Sequence, residues 1–152
     1  MTTTFDTITD LTVDLDDGRS VPLSELAGDD HLVVFFYPKA FTGGCTAQAC
    51  HFRDLGAEFA ELGARRVGVS RDDAGTQARF SAEHRFDYPL IADPDGKVAR
   101  AFGAKRPGPV PSKRQTIVVD ADLQVRHRIA SETDMDVHAD DALAFLRQQQ
   151  AG

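Results

Sequence analysis

The sequence predicts an α/β domain organised around a mixed β-sheet. Short apolar runs suited to buried strands alternate with stretches whose apolar residues recur every three or four positions. The chain opens with an alternating segment that turns back on itself, and a second alternating segment follows the last buried run. Parallel strands linked by helices, bordered by antiparallel pairs, satisfy all of these observations.

Leu11, Val13 and Leu15 alternate with Thr12 and Asp14, and Asp16-Asp17-Gly18 turns the chain toward Val21, which reads as a hairpin. Leu32-Val33-Val34-Phe35-Phe36 is continuously apolar, as a strand covered on both faces should be, and Pro38 ends it. After the loop Thr42-Gly43-Gly44, one helix is expected to run to about Leu62. Its inward stripe is Phe52, Leu55, Phe59 and Leu62, and Gly63 is its C-cap. Val67-Gly68-Val69 is the next buried strand. Asp72 and Asp73 cap a helix reaching about His84. Tyr88 to Ile91 is a short strand, Asp93-Pro94-Asp95-Gly96 a turn, and Lys97 to Phe102 a short helix. Ala104 to Lys113 holds Pro107, Pro109 and Pro111 and must be loop. Thr116 to Val119 is strand, and Val125, His127 and Ile129 alternate as an antiparallel strand with one wet face. A last helix covers roughly Val137 to Gln149. The closing hairpin favours a thioredoxin-like layout over a flavodoxin-like sheet.

The 152 residues suit a single domain, 1–152, that can bury a core without disulfide or metal staples. Lys and Arg number 17 against 24 Asp and Glu, a net charge of −7, which argues against nonspecific contact with nucleic acid or anionic membranes. The longest apolar run, Leu32 to Tyr37, is too short to span a bilayer. The start Met1-Thr2-Thr3-Thr4-Phe5-Asp6 has neither a basic region nor an apolar core, so no secretory signal is seen and a cytoplasmic location is expected. In a reducing compartment, two cysteines read as catalytic, metal-binding or buried.

The chemistry concentrates in Pro38 to Cys50. A buried strand ends, a glycine-containing loop turns, and Cys45 falls in the first turn of a helix, where free N–H groups and the positive dipole end favour a thiolate. Phe52 lies seven residues on, so Cys45 shares its inward face. Alone, Cys45 would read as a small core residue; Thr42, Gly43, Gly44 and Cys50 beside it shift the reading to a nucleophile. Five helical residues rotate about 140° and rise about 7.5 Å, placing the Cys45 and Cys50 Cα atoms roughly 8–9 Å apart, beyond disulfide reach. Either oxidation is coupled to unwinding of this helix, or the two thiols never meet. Cys45, Cys50 and His51 do not share a face, so no metal site is expected. Asp134, Asp136, His138, Asp140 and Asp141 read as charges capping the last helix.

Pro38-x-x-x-Thr42-x-x-Cys45 resembles the active-site signature of peroxiredoxins. Cys45-Thr46-x-Gln48-Ala49-Cys50-x-Phe52-Arg53-Asp54 resembles the bacterioferritin-comigratory, or peroxiredoxin Q, subfamily, although Gly43 stands where that subfamily commonly has Pro. Ser112 to Asp120, with Arg114 opening a strand, is similar to the family's later segment. The resemblance implies a thioredoxin fold and a thiol peroxidase of antioxidant defence. It would reduce hydrogen peroxide and organic hydroperoxides without a bound cofactor. Cys45 would be peroxidatic and Cys50 resolving, with the intramolecular disulfide reduced by thioredoxin or a similar dithiol protein. Arg114 would supply positive charge, Thr42 would orient the peroxide, and the Gly44 and Cys45 N–H groups would face its oxygens. Pro38 would shield the sulfur, and Gln48 would hold Arg114 by hydrogen bonds. Lys39, Lys105, Arg106 and Lys113 are read as solvated charges or a positive rim. A monomer is expected, with a weak dimer as the alternative. The rival functions are a disulfide oxidoreductase on the same fold, against which the lack of C-x-x-C speaks, and a binding module whose thiols are incidental.

Overall fold

A computed structural model describes residues 7–104 and 113–151. The expected Pro107–Pro109–Pro111 loop, with Lys105 and Arg106, and the first six residues lie outside this described part.

Strands β1 (Thr12–Leu15) and β2 (Ser20–Pro22) form the hairpin, with Val13 opposite Val21. A short helix α1 (Leu23–Ala27), which the sequence reading did not anticipate, follows directly and buries Leu23 and Ala27. Strand β3 (His31–Phe36) lies between β4 (Ala64–Ser70), to which it is parallel, and β6 (Gln115–Val119), to which it is antiparallel. β5 (Leu90–Ala92) continues the parallel set beside β4, and β7 (Val125–Ala130) closes the far edge against β6. The order is β2-β1-β5-β4-β3-β6-β7. Helices α2 (Gly43–Asp54), α3 (Gly56–Glu61), α4 (Ala74–His84), α5 (Lys97–Phe102) and α6 (Val137–Ala151) complete the described chain.

The alternation of β3 divides the core into two layers. Leu32, Val34 and Phe36 pack with Leu23, Ala27, Val98 and Phe102 on one face. Val33, Phe35 and Tyr37 pack with Phe52, Phe59, Phe80 and Leu146 on the other. Covering both faces is why this strand reads as an unbroken apolar run. The expected thioredoxin-like α/β arrangement is therefore present.

The expected single helix to Leu62 is two helices. It breaks at Leu55, with φ −98° and ψ 17°. Arg66, from β4, donates through Nη1 to the Phe52 carbonyl at 2.8 Å and grips Asp87 through both terminal nitrogens. Gly56 makes room for this: a Cβ there would sit 2.9 Å from both Arg66 Nη2 and Asp87 Oδ2. The arginine thus caps the carbonyl end of α2. The stripe survives the break, with Phe52 and Phe59 fully buried and Leu55 and Leu62 packed against them. Gly63, at φ 63°, takes the left-handed position after α3, as expected of a C-terminal glycine. Of the two expected caps of α4, only Asp73 performs that role, accepting from Thr76 N at 2.7 Å.

Candidate active site

The chain leaves β3 through Tyr37, whose N–H still pairs with the Val69 carbonyl and whose hydroxyl donates to Gln77 at 2.6 Å. Burial pushes the Tyr37 phenol well above its ordinary range, so it stays neutral. Half-buried Pro38 follows. Asp72, expected as a helix cap, instead reaches across: its Oδ2 accepts from Ala40 N at 2.8 Å and from Ser70 Oγ at 2.6 Å. It pins the loop to the end of β4. Phe41 then turns the chain with φ 67°, a costly conformation for an aromatic residue. Its ring is 46% exposed and rests 5.1 Å from that of Phe80.

Thr42 is the last residue before α2, with extended backbone at φ −79° and ψ 153°. Its side chain makes no capping bond; the hydroxyl donates to the Lys39 carbonyl at 2.8 Å. Thr46 N–H is the first to bond back, to Thr42 O at 2.9 Å. The N–H groups of Gly43, Gly44 and Cys45 therefore precede the helical ladder and point out of its positive end.

Cys45 is fully buried on the Phe52 side of α2. Arg114, just ahead of β6 and only 7% exposed, brings Nη2 to 3.4 Å from Cys45 Sγ. Its Nη1 donates to Gln48 Oε1, and Gln48 is itself fully buried on the next turn of α2. Arg114 N donates to Glu132 at 3.0 Å, which fixes the backbone at the strand start. Gln48 Nε2 and Arg114 Nε are buried donors without a hydrogen-bond acceptor among the described residues. Gly44 keeps the mouth of this group narrow. A Cβ there would approach Met135 Sδ to 3.3 Å and Arg114 Nη2 to 3.5 Å.

Behind Arg114, His138 is fully buried. Its Nε2 donates to the Ser131 carbonyl at 2.9 Å, so its Nδ1 accepts from the Thr116 hydroxyl at 2.8 Å. Burial, helped by the nearby Arg114 charge, holds this imidazole below its ordinary pKa. The acidic stretch around the start of α6 thus divides. Asp134 caps Val137 N at 3.2 Å and Asp140 pairs with His51 at 2.8 Å, but His138 turns into the core. Among the described residues, no three His, Cys, Asp or Glu side chains converge in a way that could hold a metal ion.

Cys50 lies on the same intact helix as Cys45, and both thiols are free. Its half-buried side chain points toward α4, with Sγ 3.8 Å from His84 Nδ1. Burial raises the Cys50 pKa, against a smaller lowering by Arg53. The structure thus gathers Cys45, Gln48, Arg114 and the Thr42–Gly44 turn at one helix start and leaves Cys50 facing away. The sequence reading missed Asp72, Glu132, Met135 and His84 as neighbours of this region. They come from three separate segments, the β4–α4 loop, the end of α4 and the β7–α6 loop, and no local spacing marks them.

The AhpC/TSA family matches residues 5–128. The crystal structure of peroxidoxin BcpB from Mycobacterium tuberculosis superposes with a TM-score of 0.91 at 50% identity, covering 95% of this chain and 96% of that one. The bacterioferritin comigratory protein of Xanthomonas campestris superposes at 0.85 with 31% identity, over 95% and 97% of the two chains. Chloroplastic peroxiredoxin Q from Gentiana triflora is 37% identical over 86% of this chain and 60% of its own length. With this fold and these relatives, the chain belongs to the AhpC/TSA family and is a thiol-dependent peroxidase of the peroxiredoxin Q, or bacterioferritin-comigratory, type.

Proposed function

We propose that the chain reduces hydroperoxides at Cys45 and is reset through a Cys45–Cys50 disulfide by thioredoxin or a similar dithiol protein. The observation that carries this reading is the Arg114 guanidinium, braced by Gln48, 3.4 Å from Cys45 Sγ at the start of α2.

The Cys45 thiolate attacks the terminal peroxide oxygen in line with the O–O bond. An S–O bond forms and the O–O bond breaks. The departing oxygen takes the electron pair and a proton and leaves as water or an alcohol, with Cys45 left as the sulfenic acid. Arg114 carries a permanent charge and complements the negative charge that spreads from sulfur onto the breaking bond. The Gly44 and Cys45 N–H groups face the same oxygens from the helix start. Thr42 acts as an acceptor: its own proton is engaged by the Lys39 carbonyl, which leaves its lone pairs for the peroxide O–H. Pro38 contributes no N–H and keeps water from the sulfur. Cys50 then attacks the sulfenic sulfur. The S–S bond forms, the S–O bond breaks, and the hydroxide released is protonated to water.

Hydrogen peroxide and organic hydroperoxides both suit this chemistry, which needs no bound cofactor. The reading includes a cytoplasmic, antioxidant role and a monomer. Among the described residues, no helix is long and apolar enough to cross a membrane. The test is peroxide-dependent NADPH oxidation through thioredoxin and its reductase. Wild type is expected to turn over and Cys45→Ser to show none, because a serine hydroxyl is not ionised at neutral pH. Turnover in Cys45→Ser would end the reading, and disulfide exchange without peroxide dependence would favour a plain oxidoreductase.

A further inference from the structure

Cys50 has a specific neighbour in the folded enzyme. Its Sγ lies 3.8 Å from His84 Nδ1, across the seam between α2 and the last turn of α4. The histidine is held from several sides. Its carbonyl accepts from Arg53 Nη1 at 2.7 Å, its ring meets Phe80 edge-on at 5.3 Å, and it stacks on Phe86 at 5.8 Å. Arg53 and Asp54 from α2, and the buried Tyr88 hydroxyl ahead of β5, are the other titratable or charged groups that influence this thiol. Arg53 is committed to Asp54 and the His84 carbonyl, Asp54 accepts from Arg53, and Tyr88 donates to the Ala49 carbonyl. His84 is the base within reach.

Resting on the Cys45–Cys50 disulfide proposed above, we infer that His84 is a positioning and proton-accepting residue for the resolving step. Its Nδ1 takes the Cys50 thiol proton while α2 is still folded, so that Cys50 leaves the seam as the attacking thiolate. The need for such a base follows from burial, which holds this thiol in its protonated, unreactive form. The balance is complete. Cys50 S–H gives its proton to imidazole and its electron pair to the sulfenic sulfur. The S–O bond breaks, and the hydroxide released recovers one proton through solvent as imidazolium returns to imidazole. The ring is only half-buried, which leaves that proton a route out.

His84→Phe keeps a ring between Phe80 and Phe86 but removes the nitrogen, and His84→Gln keeps a polar group without a base. Rapid mixing with hydrogen peroxide, acid quench, thiol alkylation and mass spectrometry give the rates of sulfenic acid and disulfide formation from pH 5.5 to 8.5. The expected result is unchanged sulfenic acid formation in both variants. Disulfide formation at pH 7 should fall by about 10²-fold, the lower range for a lost general base. The pH dependence of the wild-type disulfide step should be lost in both variants, while that of sulfenic acid formation should not change. Equal or faster disulfide formation in the variants would overturn the assignment, as would a slower rate that keeps the wild-type pH profile, the mark of a packing role. If wild type forms no intramolecular disulfide, the underlying Cys45–Cys50 reading falls, and this inference with it.

Discussion

At the scale of single residues, the site is a balance between charge and geometry. Arg114 offers one terminal nitrogen to Cys45 and the other to Gln48. A lysine supplies the charge but not both contacts. Arg114→Lys is therefore expected to lower kcat/KM for peroxide by about 10²-fold, the magnitude of one lost preorganised donor. Thr42 separates the hydroxyl from the methyl. Thr42→Ser keeps the group that bonds the Lys39 carbonyl and should retain most activity, whereas Thr42→Val should fall as far as Arg114→Lys. Steady-state kinetics on the four proteins decides both points. Equal rates for Thr42→Val and wild type would remove the hydroxyl from the mechanism.

At the scale of elements, α2 carries two thiols that cannot meet while it is helical. Its Cα geometry separates them by roughly 8–9 Å, and a disulfide wants less than about 7 Å. Oxidised wild type should thus exchange the amides of residues 46–52 faster than the reduced form. Cys50→Ser should react once with peroxide, lose thioredoxin-linked turnover and proceed readily to sulfinic acid. Hydrogen exchange and intact-mass measurement check the two halves, and an oxidised helix as protected as the reduced one would exclude the unwinding. Strand β4 makes a different demand. Gly68 stands between Phe35 and Leu90 in the ladder, and a Cβ there would come within 2.8 Å of both side chains. Gly68→Ala should cost about 1–3 kcal/mol by overpacking, read from urea unfolding.

At the scale of the molecule, pH reaches the fold through His138. Folded, it is neutral, buried and bonded to Thr116 and Ser131, with its pKa lowered. Unfolded, it titrates at its ordinary value near about 6.5. The unfolded chain therefore binds the extra proton below that pH. The stability His138 contributes is present above pH 6.5 and is lost as pH falls toward the folded value. Wild type should lose more Tm between pH 7 and pH 5 than His138→Gln, measured by differential scanning calorimetry. Parallel slopes would remove His138 from the pH response. Because His138 packs under the strand that Arg114 opens, acid should disturb this side of the site early.

What local chemistry dictates was legible in the residues. The strand–loop–helix around Cys45, the two-sided burial of β3, the closing hairpin and the Gln48–Arg114 pairing all follow from spacing, glycine placement and the family signature. These depend on neighbours in sequence, or on a motif that encodes distant ones. The tertiary structure alone decided where long side chains land. Arg66 crosses from β4 to the carbonyl end of α2, where the helix breaks at Leu55, well before the expected Leu62. Asp72 leaves its helix to hold Ala40, His138 leaves an acidic surface run for the core, and His84 meets Cys50 from 34 residues away. Each satisfies a buried polar group, and the partner that does so is chosen by sheet order and helix packing, which no local periodicity records.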